Sequence, residues 1–237
     1  MNFIKNNLAN AFTLGNLFSG SIGVINLVDG NYKVAAICII ISLVLDFLDG
    51  FVARALKANS NLGAQLDSLA DMVSFGLLPG VTMFKALEGF GNQFMDFEMP
   101  FQLKYLGLFV ALFSCLRLAI FNLDEEQSYY FKGLNTPSNT VLLFGMYYAF
   151  QETGIFWRTF ENPVFLVGLI AASCWLLISP IKMIALKFKS MKLKDNYPKL
   201  ILLLGGILLI SILGLAGIPM VIVFYIIVSL IFQKQLK

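Results

Sequence analysis

The feature that most limits what this chain can become is its succession of long apolar stretches. Runs at roughly 11–29, 32–56, 62–87, 103–123, 136–155, 162–187, 199–215 and 217–234 are separated only by short polar segments. Each is near the ~20 residues that a helix needs to cross the hydrocarbon core of a bilayer. Inside lipid every backbone N–H and C=O must be satisfied within the segment, so such runs fold as helices. Only 13% of the residues are charged and 58% are hydrophobic, where soluble domains carry about a quarter charged residues. The expected fold is therefore all-α: a polytopic membrane bundle of about eight transmembrane helices, with residues 2–8 as a possible short interfacial helix. One domain is expected over 1–237, with a membrane core at about 11–187 and two further helices at about 199–234. The last two runs are joined by the tight "AGIPM" turn.

Lysine and arginine placement sets the expected orientation. With the N-terminus in the cytoplasm, thirteen of the 17 basic residues fall on that side. The other four are Lys33, Lys85, Lys104 and Arg158. Both termini are then cytoplasmic, in a bacterial or archaeal-type cell membrane, and the basic run at 182–199 becomes a juxtamembrane anchor that also attracts anionic headgroups. No signal peptide is expected, because "MNFIKNNLANAFTLGN" lacks a charged n-region and a small-residue cleavage site.

Histidine is absent, which removes imidazole bases and histidine metal sites. The cysteines Cys38, Cys115 and Cys174 lie far apart within apolar runs, as small buried hydrophobes would. A net charge of +3, without basic residues interleaved with aromatics, gives no basis for nucleic-acid binding.

Against this oily background stands "DFLDGFVARALKANSNLGAQLDSLAD", residues 46–71. At about 100° per residue, Asp46, Asp49, Gly50, Ala53 and Lys57 share one stripe of the second helix, bordered by Arg54. Gly63, Asp67, Ala70, Asp71 and Ser74 share a stripe of the next. Joined by a short connection, the two stripes can face each other and converge four carboxylates. One membrane carboxylate costs about 2.5–3.5 kcal/mol, and four add mutual repulsion. Arg54 and Lys57 are too few and too near the helix end to neutralise them. Two divalent cations would balance the four charges, and an oxygen-only donor set suits Mg²⁺ or Mn²⁺. Gly50 and Ala53 leave the carboxylate face uncovered for a bulky ligand. Structural salt bridges or a proton pathway are the competing readings of such a cluster.

The spacing Asp46-x2-Asp49-Gly50-x2-Ala53-Arg54-x8-Gly63-x3-Asp67-x3-Asp71 resembles the signature of the CDP-alcohol phosphatidyltransferases. Within that family the chain is similar to the membrane-integral phosphatidylserine synthases, through "NAFTLGNLFSG", "LDSLADMVSFGLLPG", "CLRLAIFN", "FKGLNTPSN" and "ISPIKMIALKFK". It departs from them at Ala9, Ile120 and Asn135. The resemblance implies transfer of a phosphatidyl group from CDP-diacylglycerol to L-serine, giving phosphatidylserine and CMP, in a homodimer surrounded by membrane lipids. It implies that Asp46, Asp49, Asp67 and Asp71 ligate two metal ions and that Asp71 is also the proton acceptor. Gly50, Arg54 and Ser60 match positions that contact the CDP part of the lipid, with Ala53 and Gly63 beside them, and Asn10 and Thr13 match N-terminal nucleotide contacts.

Serine would need a cation for its carboxylate, and Arg117 is the only arginine of its helix. Asn122, Thr136 and Ser138 are then expected to orient the amine and hydroxyl, with Lys182 as the next candidate cation. Snorkelling to the interface, or a salt bridge to Asp124 or Glu125, would give Arg117 a structural role instead. Two further functions fit the same cluster. One is a sister enzyme using glycerol 3-phosphate, inositol phosphate or phosphatidylglycerol. The other is a divalent-cation or proton-coupled transporter, although transporter sites lie nearer the bilayer midplane.

Overall fold

The computed structural model describes residues 2–56, 61–124, 130–184 and 193–233. Ser60, Lys57 and Glu125 fall outside them, as do the basic side chains of 187–194. Among the described residues the regular structure is helical apart from two short antiparallel β-ladders. Its long helices are α1 (Asn2–Val28) and α2 (Tyr32–Leu56), which form a hairpin. The turn between them is made by Gly30 at φ +84°, with Asn31 N donating to Asn26 O at 2.7 Å.

Next come α3 (Asn61–Asp71), a π-helical turn (Met72–Leu77) and α4 (Leu78–Leu87). Proline explains the turn. In α-geometry the Phe75 carbonyl would take the N–H of residue 79, and Pro79 has none. The helix widens instead, and the Phe75 carbonyl accepts from Thr140 Oγ1 at 3.1 Å. Single π turns of this kind are frequent at functional sites.

The β-hairpin of β1 (Gln93–Phe94) and β2 (Phe97–Glu98) precedes a 3₁₀ entry, Leu103–Leu108, into α5 (Phe109–Leu123). Strand β3 (Tyr130–Lys132) leads to α6 (Thr136–Thr153), then a one-turn α7 (Trp157–Phe160) and α8 (Pro163–Ile178). Asn135 caps α6 through Oδ1, which accepts from Ser138 N at 2.8 Å, and Gly154 closes it at φ +69°. Strand β4 (Lys182–Ile184) pairs with β3 in the register Phe131↔Met183. Gly133, at φ +74°, lets the chain pass under α8, since a Cβ there would lie 2.6 Å from the Leu177 carbonyl. Finally α9 (Leu193–Leu213) and α10 (Gly217–Ile231) pack side by side across the 3₁₀ turn Gly214–Ala216.

The main core gathers Leu27, Ile39, Leu78, Met83, Leu143 and Leu166, and a second cluster joins Leu134, Met183, Leu202 and Val228. Large apolar side chains also point outward, including Phe18, Phe47, Leu112 and Ile212. That outward apolar surface, on helices of membrane length, defines a membrane-associated protein.

The expected eight spans are not borne out. Among the described residues, four helical stretches can cross a membrane by length and composition: 7–28, 32–56, 103–123 and Asn196–Ile231. The run at 62–87 is divided by the π turn and carries Asp67 and Asp71. That at 136–155 is diluted by Thr136, Ser138, Asn139 and Thr140, and helix α8 within 162–187 has only 16 residues. The last two expected spans belong to one apolar stretch of 36 residues, folded back at Gly214–Ala216. Residues 2–8 are likewise continuous with α1, since neither glycine nor proline interrupts the chain before Gly15. Cys38 and Cys174 are buried as expected, but Cys115 is exposed on the outer face of α5.

Candidate metal and phosphate site

Helix α1 is the platform of the site. It packs against α2, α3 and the π turn, and Gly20 makes the closest approach possible: a Cβ there would lie 2.8 Å from Ser74 Cα. The aspartate stripes of α2 and α3 then converge beside α1. One carboxylate oxygen from each of Asp46, Asp49 and Asp67 lies within 4.8 Å of the others. Asp49 is buried and accepts from Thr13 Oγ1 at 2.7 Å. Asp71 meets Asp46 side chain to side chain. It also accepts from Asn16 Nδ2 at 3.3 Å.

Among the described residues Asp67 Oδ1 is buried without a hydrogen-bond partner, and no salt bridge reaches any of the four carboxylates. An enclosed anionic oxygen with no donor is strongly disfavoured. Three clustered carboxylates with such an oxygen can hold one hard divalent cation, the ion type that takes only oxygen ligands. The all-oxygen donor set therefore fits Mg²⁺ or Mn²⁺.

A cavity of about 260 Å³ opens directly from this cluster, lined by Ala9, Asn10, Thr13, Asp49, Gly50, Ala53, Arg54, Gly63, Ala64 and Asp67. Six of the seven residues expected to contact the CDP-lipid therefore share one wall with two of the carboxylates; the seventh, Ser60, lies outside the described residues. The Arg54 guanidinium folds back over Gly50, where a Cβ would come 3.2 Å from Nη1. Gly50 thus keeps open the space that the guanidinium uses. An arginine fork beside a cation-binding cluster is a phosphate-binding arrangement.

The residues expected around the acceptor alcohol are more dispersed. Arg117 is buried, and its Nε donates to the Leu134 carbonyl at 2.6 Å. Its guanidinium stacks on Phe121 at 5.6 Å and lies within electrostatic reach of Asp71. It does not snorkel. Nor does it pair with Asp124, which is bound instead by Lys132 at 2.9 Å. Arg117 and Lys132 line a second cavity of about 220 Å³ with Ser179 and Pro180. Asn122 is turned away on the surface, donating to Ser68 Oγ at 2.9 Å. Thr136 is buried and accepts from Thr140 Oγ1 through its carbonyl. Ser138 lines a different cavity, beside Asn135 and Tyr225. Lys182 sits in β4, where its backbone exchanges hydrogen bonds with Gln233. None of these five lines the cavity that opens from the acidic cluster, and only Arg117 lines the second one. Sequence reasoning missed Asn16, Lys132 and Ser179. Asn16 shares a face with Thr13, three residues earlier, and that spacing was its only signal.

A helical, membrane-associated chain with an acidic cluster able to hold a divalent cation, opening onto a cavity bordered by Arg54, defines a class of enzyme-like membrane proteins. The particular family follows from comparison: the model of the CDP-alcohol phosphatidyltransferase family matches residues 6–186, and the chain belongs to that family. It is similar to the CDP-diacylglycerol–serine O-phosphatidyltransferase of Saccharomyces cerevisiae, with 37% identity over 127 residues, 50% of this chain and 42% of that protein. The protein of the same name from Bacillus subtilis is 28% identical over 170 residues, 72% of this chain and 85% of its own length. That from Helicobacter pylori is 35% identical over 137 residues, 56% of this chain and 54% of its own length. The chain thus spans about half or less of the yeast and Helicobacter relatives but most of the Bacillus one.

Proposed function

We propose that this protein transfers the phosphatidyl group of CDP-diacylglycerol to L-serine, releasing CMP, with 1–237 acting as one domain. The observation that carries this reading is the shared wall. Asp49 and Asp67 face the same cavity as Arg54 and Gly50, so a pyrophosphate bound there meets both the cation site and the arginine. Asp46, Asp49, Asp67 and Asp71 would hold two divalent cations. When bound, they neutralise the pyrophosphate and the charge that develops on the attacking and leaving oxygens.

The chain's own residues bind, orient and move the proton. Asn10, Thr13, Ala53 and Gly63 shape the nucleotide wall, with Ser60 beside it, and Arg54 offers its fork to the phosphates. Asp71, next to Asp46, takes the proton of the serine hydroxyl as that oxygen bonds to the phosphorus carrying diacylglycerol. The bond from that phosphorus to CMP breaks, and CMP leaves with the electron pair. Arg117, within electrostatic reach of Asp71, receives the serine carboxylate from its own cavity. Asn122, Thr136, Ser138 and Lys182 are weaker candidates for the acceptor, given where they lie. The family's homodimeric habit and a cytoplasmic site with both termini on that side complete the reading.

The test is an acceptor panel. Purified protein receives CDP-diacylglycerol, Mn²⁺ or Mg²⁺ and one alcohol at a time: serine, glycerol 3-phosphate, inositol phosphate or phosphatidylglycerol. Phosphatidylserine from serine alone is the expected product. Turnover with a phosphorylated alcohol and none with serine would overturn the acceptor assignment. Metal movement across vesicles without CMP release would point to a transporter.

A further inference from the structure

Asn16 lies where three elements cross. It is fully enclosed, at 0% exposure. Its backbone carbonyl accepts from Ser42 Oγ at 3.3 Å and from Ser74 Oγ at 3.0 Å, tying α1 to α2 and to the π turn. Any residue would supply that carbonyl. The side chain does something else: Nδ2 donates to Asp71 Oδ1, while Oδ1 is buried with no partner among the described residues. An ionised carboxylate oxygen can only accept, so the amide nitrogen is the end that faces it. A buried amide oxygen left unpaired is unfavourable, so packing alone would favour an apolar residue in this apolar helix.

We infer that Asn16 is a positioning residue for Asp71. Its N–H fixes one oxygen of the carboxylate and aims the other at the incoming alcohol. Thr13 has the matching role for Asp49, so α1 orients one carboxylate of each aspartate helix. The role of Asn16 rests on the transferase reading above.

Asn16→Leu keeps the branched shape with bulkier methyl ends and removes both hydrogen-bonding ends, and Asn16→Thr restores one donor. With whichever alcohol the wild type uses, kcat of Asn16→Leu should fall about 10- to 100-fold, the range set by loss of a hydrogen bond to a charged group. The KM for CDP-diacylglycerol and the Mn²⁺ dissociation constant, read by electron paramagnetic resonance, should stay within about threefold, inside the scatter that context gives such interactions. Asn16→Thr should recover part of kcat; it also serves as the test if the leucine variant does not fold. Unchanged kcat in Asn16→Leu, or in Asn16→Thr where the leucine variant does not fold, would overturn the inference, as would a rise in KM and a loss of Mn²⁺ affinity in proportion to the fall in kcat. If the wild type transfers to no alcohol, the transferase reading fails and the Mn²⁺ spectrum decides for Asn16. A changed line shape at unchanged affinity supports its role, and an unchanged line shape overturns it.

Discussion

Replacing Asp67 with asparagine should move stability in opposite directions with and without metal. Oxygens of Asp46, Asp49 and Asp67 lie within 4.8 Å of one another. Two unit charges at that separation repel by about 3.5 kcal/mol at an effective dielectric constant near 20. Asp67 contributes to two such pairs, and its Oδ1 has no hydrogen bond among the described residues to offset them. Water and side-chain rearrangement relieve most of this, so a net gain of about 1–2 kcal/mol is expected when the charge is removed. For a chain of this size that corresponds to a Tm rise of about 2–8 °C. In saturating Mn²⁺ the order reverses, because wild type gains about 2.7 kcal/mol at a hundredfold excess over Kd and the variant gains little. The assay is thermal unfolding in detergent, run once with EDTA and once with Mn²⁺. A variant less stable than wild type in both conditions would refute the reasoning and make Asp67 an ordinary structural carboxylate.

Other substitutions probe the rest of the site. Gly50→Ala puts a methyl 3.2 Å from Arg54 Nη1; it should raise the KM for CDP-diacylglycerol about tenfold without lowering Tm, since the arginine tip can move. Arg117→Lys loses the planar fork and should raise the serine KM about tenfold or more while leaving the CDP-diacylglycerol KM unchanged. Equal shifts in both would detach Arg117 from the acceptor. Gly20→Ala drives a methyl into the Ser74 backbone, and the forced separation of α1 from the π turn should lower Tm by about 2–10 °C; an unchanged Tm would show that the two elements are not tightly packed.

The acidic cluster was legible in the sequence because helical periodicity alone aligns Asp46 with Asp49 and Asp67 with Asp71 along their stripes. It was also legible that α2 and α3 carry the stripes, but not that α1 lies against both and holds Asp49 and Asp71 through Thr13 and Asn16. Asn16 reads in one dimension as a flaw in an apolar span; only the crossing of α1 with the π turn gives it a partner. The π turn itself had a visible cause in Pro79, whose missing N–H leaves the Phe75 carbonyl to be satisfied from α6, by Thr140, 65 residues further along the chain. The β3–β4 ladder had none, because three-residue strands in polar links carry no usable period. The number of spans was misread for a related reason. Apolar content was taken as helix length, whereas proline, a π turn and the tight turn at Gly214–Ala216 decide where helices of membrane length begin and end.

The most direct measurement is the stoichiometry of the reaction with purified wild-type protein, CDP-diacylglycerol and isotopically labelled serine. Labelled lipid and free CMP should form one for one in Mn²⁺ or Mg²⁺, and both should stop on addition of EDTA. Labelled lipid formed without CMP, or at the same rate in EDTA, would contradict a cation-dependent transfer from CDP-diacylglycerol at the Asp46–Asp49–Asp67 cluster.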